Sequence, residues 1–270
     1  MKVCMVIGDP IDHSLSPIMH NVGYKALGIE KQFIYKKTKV KIKDLKKFTN
    51  SIQESNIRGI SLTMPHKIEI MQYLDNIDKV ANKIGAVNTI VNDNGALKGY
   101  NTDWLGVITP LQKITSLNKK RVALIGAGGA ARAVVYGCMK KGAKVTIFNR
   151  TIEKGKQISD DFGCSYKSLE LLSDLKDYDI IFNATSVGMK PNKDTSPILK
   201  EYINPHHIVF DAIYSPHETQ LIKDAKDKGA KVIYGIEMLL YQGTAQFELF
   251  TNQKAPVDKM REALERTIND

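Results

Sequence analysis

A cluster of glycines directly behind a short apolar run constrains this chain more than any other feature. Val122-Ala-Leu-Ile125 has the length of a buried strand, Gly126, Gly128 and Gly129 follow at once, and Ala130 to Met139 is rich in Ala and Val and reads as a helix. Strand, glycine turn and helix start together form the opening unit of a dinucleotide-binding βαβ fold. Gly126 permits the tight turn, and Gly128 carries no Cβ, so a pyrophosphate can approach the backbone. Ala131 is the small residue that lets the helix pack closely on the strand. The first N–H groups of the helix and its dipole then face the phosphates. An ordinary tight strand-to-helix turn could carry the same glycines, so the surrounding sequence has to decide.

The next strand is Lys144-Val-Thr-Ile-Phe148, followed by Asn149-Arg150-Thr151. An NAD-binding fold places an acid on the ribose hydroxyls here, roughly 20 residues beyond the glycines. This chain has no acid there. It has Arg150, with Lys154 one turn on, and a guanidinium suits a 2′-phosphate by charge and by its paired donors. The expected cofactor is therefore NADP rather than NAD.

A chain of 270 residues with 43% hydrophobic and 25% charged residues fits one large or two modest soluble domains. No apolar run reaches membrane-spanning length, and the N-terminal apolar run is too short for a signal peptide. Cys4, Cys138 and Cys164 are scattered without a CxxC, and the six histidines lack metal-ligand spacing. No metal is expected, and a reduced cytoplasmic setting is. The net charge of +10 is concentrated between Lys36 and Lys47, where seven lysines alternate with Val40, Ile42 and Leu45. That stretch has no aromatic residue for base stacking. It reads as a solvated face, and neither nucleic acid nor membrane is an expected partner.

Before the glycine turn, strand and helix alternate. Strands are expected at Lys2 to Ile7, near Gln32 to Lys36, and at Ile57 to Thr63. Helices are expected from Ser16 to Leu27, Lys43 to Ser55, and His66 to Leu74. Ser16-Pro17 reads as a hydroxyl N-cap and a first-turn proline. Asn94-Gly95 between short strands marks a hairpin. A helix opens at Asn101-Thr-Asp103, and the domain joint falls there. Beyond the nucleotide strands, Glu237 to Phe250 and Val257 to Ile268 show helical spacing. These tail helices either cap the nucleotide domain or cross back to the first.

Ser14, Ser16, Thr63, Lys67, Asn88 and Asp103 lie at strand ends and loop mouths of the first domain, where open α/β sheets bind ligands. Hydroxyls, an amide, a carboxylate and one ammonium suit a small polyhydroxylated acid. Each also has a local reading. The serines, threonine and asparagine can satisfy loop backbone, and Asp103 can cap a helix. Lys67 can be a surface lysine, although a first helical turn is a poor place for a cation.

At this point the motifs resemble one family over nearly the whole chain. His13-Ser-Leu-Ser-Pro17, Thr63-Met-Pro-His-Lys67, Gly85-Ala-Val-Asn-Thr89, Asn101-Thr-Asp103, Gly126-Ala-Gly-Gly-Ala130, Asn149-Arg-Thr151, Asn183-Ala-Thr-Ser186 and Gly235-Ile-Glu-Met-Leu-Leu-Tyr-Gln242 resemble the shikimate dehydrogenases. The resemblance implies reversible NADPH-dependent reduction of 3-dehydroshikimate to shikimate. It implies that Ser14, Ser16, Thr63, Lys67, Asn88, Asp103, Tyr214 and Gln242 hold the substrate, with Lys67 and Asp103 as the catalytic pair. Gly126, Ala127, Gly128, Gly129, Ala130, Asn149, Arg150, Thr151 and Lys154 would hold the cofactor, with Ala212 and Gly235 by its nicotinamide end. The implied architecture is an N-terminal α/β substrate domain (1–103), a Rossmann-type doubly wound dinucleotide-binding domain (104–236), and C-terminal helices (237–270) returning to the substrate domain. The active site would lie in the cleft between the domains of a monomer or homodimer. Val187-Gly-Met-Lys-Pro191 and Val91-Asn-Asp-Asn-Gly95 also resemble the quinate/shikimate branch, which tolerates quinate and NAD. Trp104 stands where the family often has a small residue.

Overall fold

The computed structural model describes residues 1–269. The chain divides into two compact units, one of Met1–Asp103 with Leu240–Asp270 and one of Trp104–Leu239.

In the first unit, β1 (Lys2–Gly8), α1 (Ser16–Ala26), β2 (Phe33–Lys39), α2 (Leu45–Ile52) and β3 (Ile57–Leu62) alternate. A single turn, α3 (His66–Glu69), follows, then β4 (Asn76–Ile77), α4 (Lys79–Ile84), β5 (Thr89–Asp93) and β6 (Ala96–Tyr100). The sheet order is β2-β1-β3-β5-β6-β4. β1 is parallel to β2 and β3, whereas β5 runs antiparallel to both β3 and β6. The expected hairpin joins β5 to β6, with Asn94 and Gly95 at positive φ of 54° and 96°, as a type I′ turn requires. One core packs Met5, Ile7, Ile60 and Leu62 of the central strands against Leu45, Ile52 and Ile70.

The second unit begins in α5 (Asp103–Ile114) and continues through β7 (Arg121–Ile125), α6 (Ala131–Lys140), β8 (Lys144–Phe148), α7 (Ile152–Phe162), β9 (Ser165–Lys167), β10 (Ile180–Asn183), β11 (Ile208–Asp211), α8 (Gln220–Asp227) and β12 (Lys231–Ile233). Its strand order is β12-β11-β10-β7-β8-β9, all parallel. This is the doubly wound order, with its reversal between β7 and β10. Both faces of these strands are apolar and buried: Val122, Leu124, Ile180 and Phe182 point into one core, and Ala123, Ile125, Ile181 and Val209 into another. Trp104 packs edge-on against Tyr136, with ring centroids 5.7 Å apart, and Lys140 Nζ lies 4.5 Å above its ring. Gly137 lets α5 approach α6 closely, because a Cβ there would stand 2.9 Å from Ile108 Cγ2. Trp104 thus joins α5 to α6.

The tail is α9 (Gly235–Thr251) and α10 (Val257–Asn269). From Leu240 onward it belongs to the first unit. α9 lies against β3 at Gly59, where a Cβ would stand 2.1 Å from the Phe250 ring, and against α1, where one on Gly243 would stand 2.1 Å from Met19. α10 meets α1 through Met260, beside Gly23.

Two local expectations differ from the structure. Ser16 is not the N-cap of α1: Leu15 holds that position, Ser16 is buried, and its backbone N–H donates to Ser14 Oγ at 3.4 Å. The helix expected from His66 to Leu74 stops after Glu69 and tightens into a 3-10 turn over Ile70–Tyr73.

Candidate active site

In the first unit, α3, the residue just before β5, the start of α5 and α9 bring four side chains together. Lys67 Nζ lies 2.5 Å from Asp103 Oδ2. Their side chains are only 15% and 5% exposed, so the pair is screened far less than a surface ion pair. The other carboxylate oxygen of Asp103 accepts from Asn88 Nδ2 at 2.8 Å, which also approaches Gln242 Oε1 at 3.4 Å. Asn88 is itself fixed: its Oδ1 accepts from the Thr102 N–H and the Thr89 hydroxyl, both at 2.7 Å. The Asp103 N–H donates to Asn101 Oδ1 at 3.0 Å, and Asn101 donates to the Ala86 carbonyl. Lys67 is anchored through its main chain, whose carbonyl accepts from the Val87 N–H at 2.8 Å. Its neighbour His66 is fully buried, with Nε2 2.8 Å from the Val40 carbonyl. Burial holds the His66 imidazole below its usual range.

Ser14 and Ser16 stand at the entry to α1, and Thr63 directly follows β3, where its methyl fills the space beside Gly8. A Cβ on Gly8 would come within 2.3 Å of that methyl. Tyr214 belongs to the second unit, just past β11, with its phenol pushed up by burial. Sequence reasoning passed over Thr89, Asn101 and Thr102 as working parts, although all three lie in motifs already singled out. Their role shows only in which amide they orient.

In the second unit, the glycine turn leaves β7 at its carboxyl end, at the reversal of strand order. Gly126 has φ of +103°, and a Cβ there would sit 2.7 Å from Thr185 Cγ2. At Gly128 the nearest neighbour of an added Cβ is the Ala184 carbonyl oxygen, 3.7 Å away, so the backbone N–H groups remain open to a phosphate. Ala127, Gly129 and Ala130 complete the turn before α6. Asn149 Nδ2 donates to the Thr151 carbonyl at 2.7 Å, which shapes the loop after β8, while Arg150, Thr151 and Lys154 are exposed. The cradle and the two cations fit a phosphorylated dinucleotide. Gly235 is obligatory for a different reason, since a Cβ would overlap the Ile213 carbonyl at 2.3 Å, beside Ala212.

The segments that follow β10 and β11 share a support that sequence reasoning did not find. Asp211, fully buried at the end of β11, accepts from Asn183 Nδ2 at 3.0 Å, from the Ile213 N–H at 3.0 Å and from the Thr219 hydroxyl at 2.6 Å. Burial pushes its carboxyl up to about 6. Among the described residues, no group of three or more His, Cys, Asp or Glu side chains could hold a metal ion, and no helix is long and apolar enough to cross a membrane.

Comparison with known proteins finds one family along most of the chain. Residues 6–90 match the shikimate dehydrogenase substrate binding domain, 110–190 the shikimate/quinate 5-dehydrogenase family, and 235–265 the shikimate 5′-dehydrogenase C-terminal domain. A curated relative from Nitrosopumilus maritimus, shikimate dehydrogenase (NADP(+)), is 43% identical over 272 residues, covering 97% of this chain and 98% of its own. A crystal structure of a shikimate dehydrogenase in complex with NADP+ superposes with a TM-score of 0.94 at 39% identity, covering 100% of this chain and 96% of that one. The Thermus thermophilus enzyme, solved with NADP(H) and shikimate, gives 0.92 at 32% identity, covering 98% of this chain and 99% of that one. With relatives this similar over nearly its full length, the chain belongs to the shikimate dehydrogenase family.

Proposed function

We propose that the protein is an NADP-dependent shikimate dehydrogenase that reversibly reduces 3-dehydroshikimate to shikimate on the route to aromatic amino acids. The observation that carries this reading is the Lys67–Asp103 pair, 2.5 Å apart and held by Asn88. Reduction of a ketone leaves an alkoxide, which needs a proton donor within hydrogen-bond reach. The Lys67 ammonium supplies that proton and stabilises the developing charge. Asp103 holds the ammonium in place and accepts from the neighbouring substrate hydroxyl. In the direction of oxidation, the Lys67 amine takes the hydroxyl proton. Ser14, Ser16, Thr63, Asn88, Tyr214 and Gln242 bind and orient the carboxylate and hydroxyls of the substrate.

Gly126 to Ala130 take the pyrophosphate, Arg150 and Lys154 take the 2′-phosphate, and Asn149 and Thr151 shape the adenosine loop. Ala212 and Gly235 flank the nicotinamide end. Bound NADP supplies the hydride chemistry, and the chain supplies position, proton and charge. In this reading the first unit is the substrate domain and the second the cofactor domain of a cytoplasmic enzyme, monomeric or homodimeric, with small molecules as its partners. Shikimate oxidation followed by NADPH absorbance tests it: turnover with NADP+ is expected, and none from folded protein contradicts it. Assaying quinate and NAD+ in parallel measures specificity. An arginine where NAD enzymes carry an acid supports a preference for NADP.

A further inference from the structure

Behind the Lys67–Asp103 pair, the same unit buries a second row of polar groups. Gln246 is 1% exposed and lies one helical turn past Gln242 on α9. Its Oε1 accepts from Ser61 Oγ at 2.7 Å. Its Nε2 donates to Thr89 Oγ1 at 3.0 Å and to the Asn88 carbonyl at 3.3 Å. On one side, the Tyr35 hydroxyl donates to Ser61 at 2.6 Å and is itself hydrogen-bonded to Ser16. On the other side, Thr89 donates to Asn88 Oδ1, and Asn88 donates to Asp103.

Counting protons orders the whole row. Tyr35 spends its proton on Ser61, Ser61 spends its own on Gln246, and Thr89 spends its own on Asn88. Each hydroxyl is therefore left to accept from the group before it. The bonds run one way from Ser16 to the Asp103 carboxylate, a terminus that only accepts. Gln246 sits at the centre and needs both ends of its amide, oxygen toward Ser61 and nitrogen toward Thr89. Buried rows of this kind polarise along their length, and breaking one strands several polar groups at once.

We infer that Gln246 is a positioning residue for the proposed reaction, fixing the separation between Ser16 and Asp103 at the two ends of the substrate cluster. The inference rests on the shikimate dehydrogenase reading. The test is steady-state oxidation of shikimate by Gln246→Met, which keeps the volume and loses all three bonds. A misplacement of about 1 Å costs up to roughly 100-fold in rate. The kcat of Gln246→Met is therefore expected to fall at least fivefold, with KM for NADP+ within twofold of the parent. Thr89→Val breaks the next link, and the double variant is expected to be no more than about twofold slower than the slower single, since both cut one row. A kcat loss under fivefold, a parallel rise in KM for NADP+, or losses that multiply in the double variant would overturn the inference. Should Gln246→Met fail to fold, Gln246→Glu replaces it under the same criteria, keeping the acceptor for Ser61 and losing the donor to Thr89. If the parent protein does not oxidise shikimate, the functional reading fails. If it does and Gln246→Met keeps its kcat, only the positioning role fails.

Discussion

In the proposed function, the two units recognise their ligands by opposite means. The first presents side chains: an ammonium, a carboxylate and amides, each oriented by another buried polar group. The second presents backbone: a glycine turn at a strand end, with the exposed cations Arg150 and Lys154 set beside it. Side-chain chemistry needs an exact residue and a supporting network, whereas backbone chemistry needs the absence of a side chain. The two units should therefore fail in different kinetic parameters when they are altered.

The largest effect is expected in the first unit. Lys67→Ala removes the proposed proton donor and should lower kcat by roughly 10²- to 10⁴-fold with KM for NADP+ little changed. Steady-state kinetics with each substrate varied in turn would show it, and a kcat within a few-fold of the parent would break the proposed proton role. In the second unit, Arg150→Ala should act on affinity. Loss of a charge-assisted hydrogen bond worth about 1.5–3 kcal/mol should raise KM for NADP+ by roughly 10- to 100-fold and leave KM for NAD+ nearly unchanged. An equal change for both cofactors would remove the 2′-phosphate argument. Gly126→Ala forces a side chain into positive φ and against Thr185, at about 1–3 kcal/mol. It should lower the melting temperature and weaken NADP+ while leaving shikimate affinity in place, as thermal unfolding and calorimetry would register.

The smallest effect separates the units by pH. In the first, burial depresses the His20 imidazole to about 3, against about 6.5 when unfolded. Between those values the unfolded chain binds the extra proton, so stability falls as pH falls, by up to about 1.4 kcal/mol per unit. In the second, His207 is lowered to about 4, chiefly by burial, and acts in the same direction. Asp211 is raised to about 6 and acts in the opposite one, because there the folded state binds the proton. Their contributions largely cancel between pH 4 and 6. Urea unfolding across that range should show a shallower pH slope for His20→Phe and a steeper one for Asp211→Asn; unchanged slopes would contradict the assignment.

The second unit was easier to read from sequence than the first, for the same physical reason. A glycine turn between a strand and a helix is local, so Gly126, Gly128 and Arg150 announce themselves within one stretch. The doubly wound sheet follows from apolar strands spaced by helices. In the first unit the motifs located Lys67, Asn88 and Asp103, but the groups that orient them come from distant segments. Ser61 and Gln246 are 185 positions apart, and no local pattern pairs them. The clue that was present is the one-turn spacing of Gln242 and Gln246 on a helix otherwise rich in apolar residues. Ser16 misled as a cap because a hydroxyl before proline has that local meaning, whereas tertiary packing buries it beside Tyr35. The destination of α9 was equally non-local, being set by the gaps left at Gly59 and Gly243.

The double variant Lys67→Ala/Arg150→Ala tests the separation of tasks most directly. If one unit moves the proton and the other holds the 2′-phosphate, the losses in kcat/KM for NADP+ should add as free energies, within about 0.5 kcal/mol. A double variant no worse than Lys67→Ala alone would mean that both residues serve one task, and the division proposed here would be wrong.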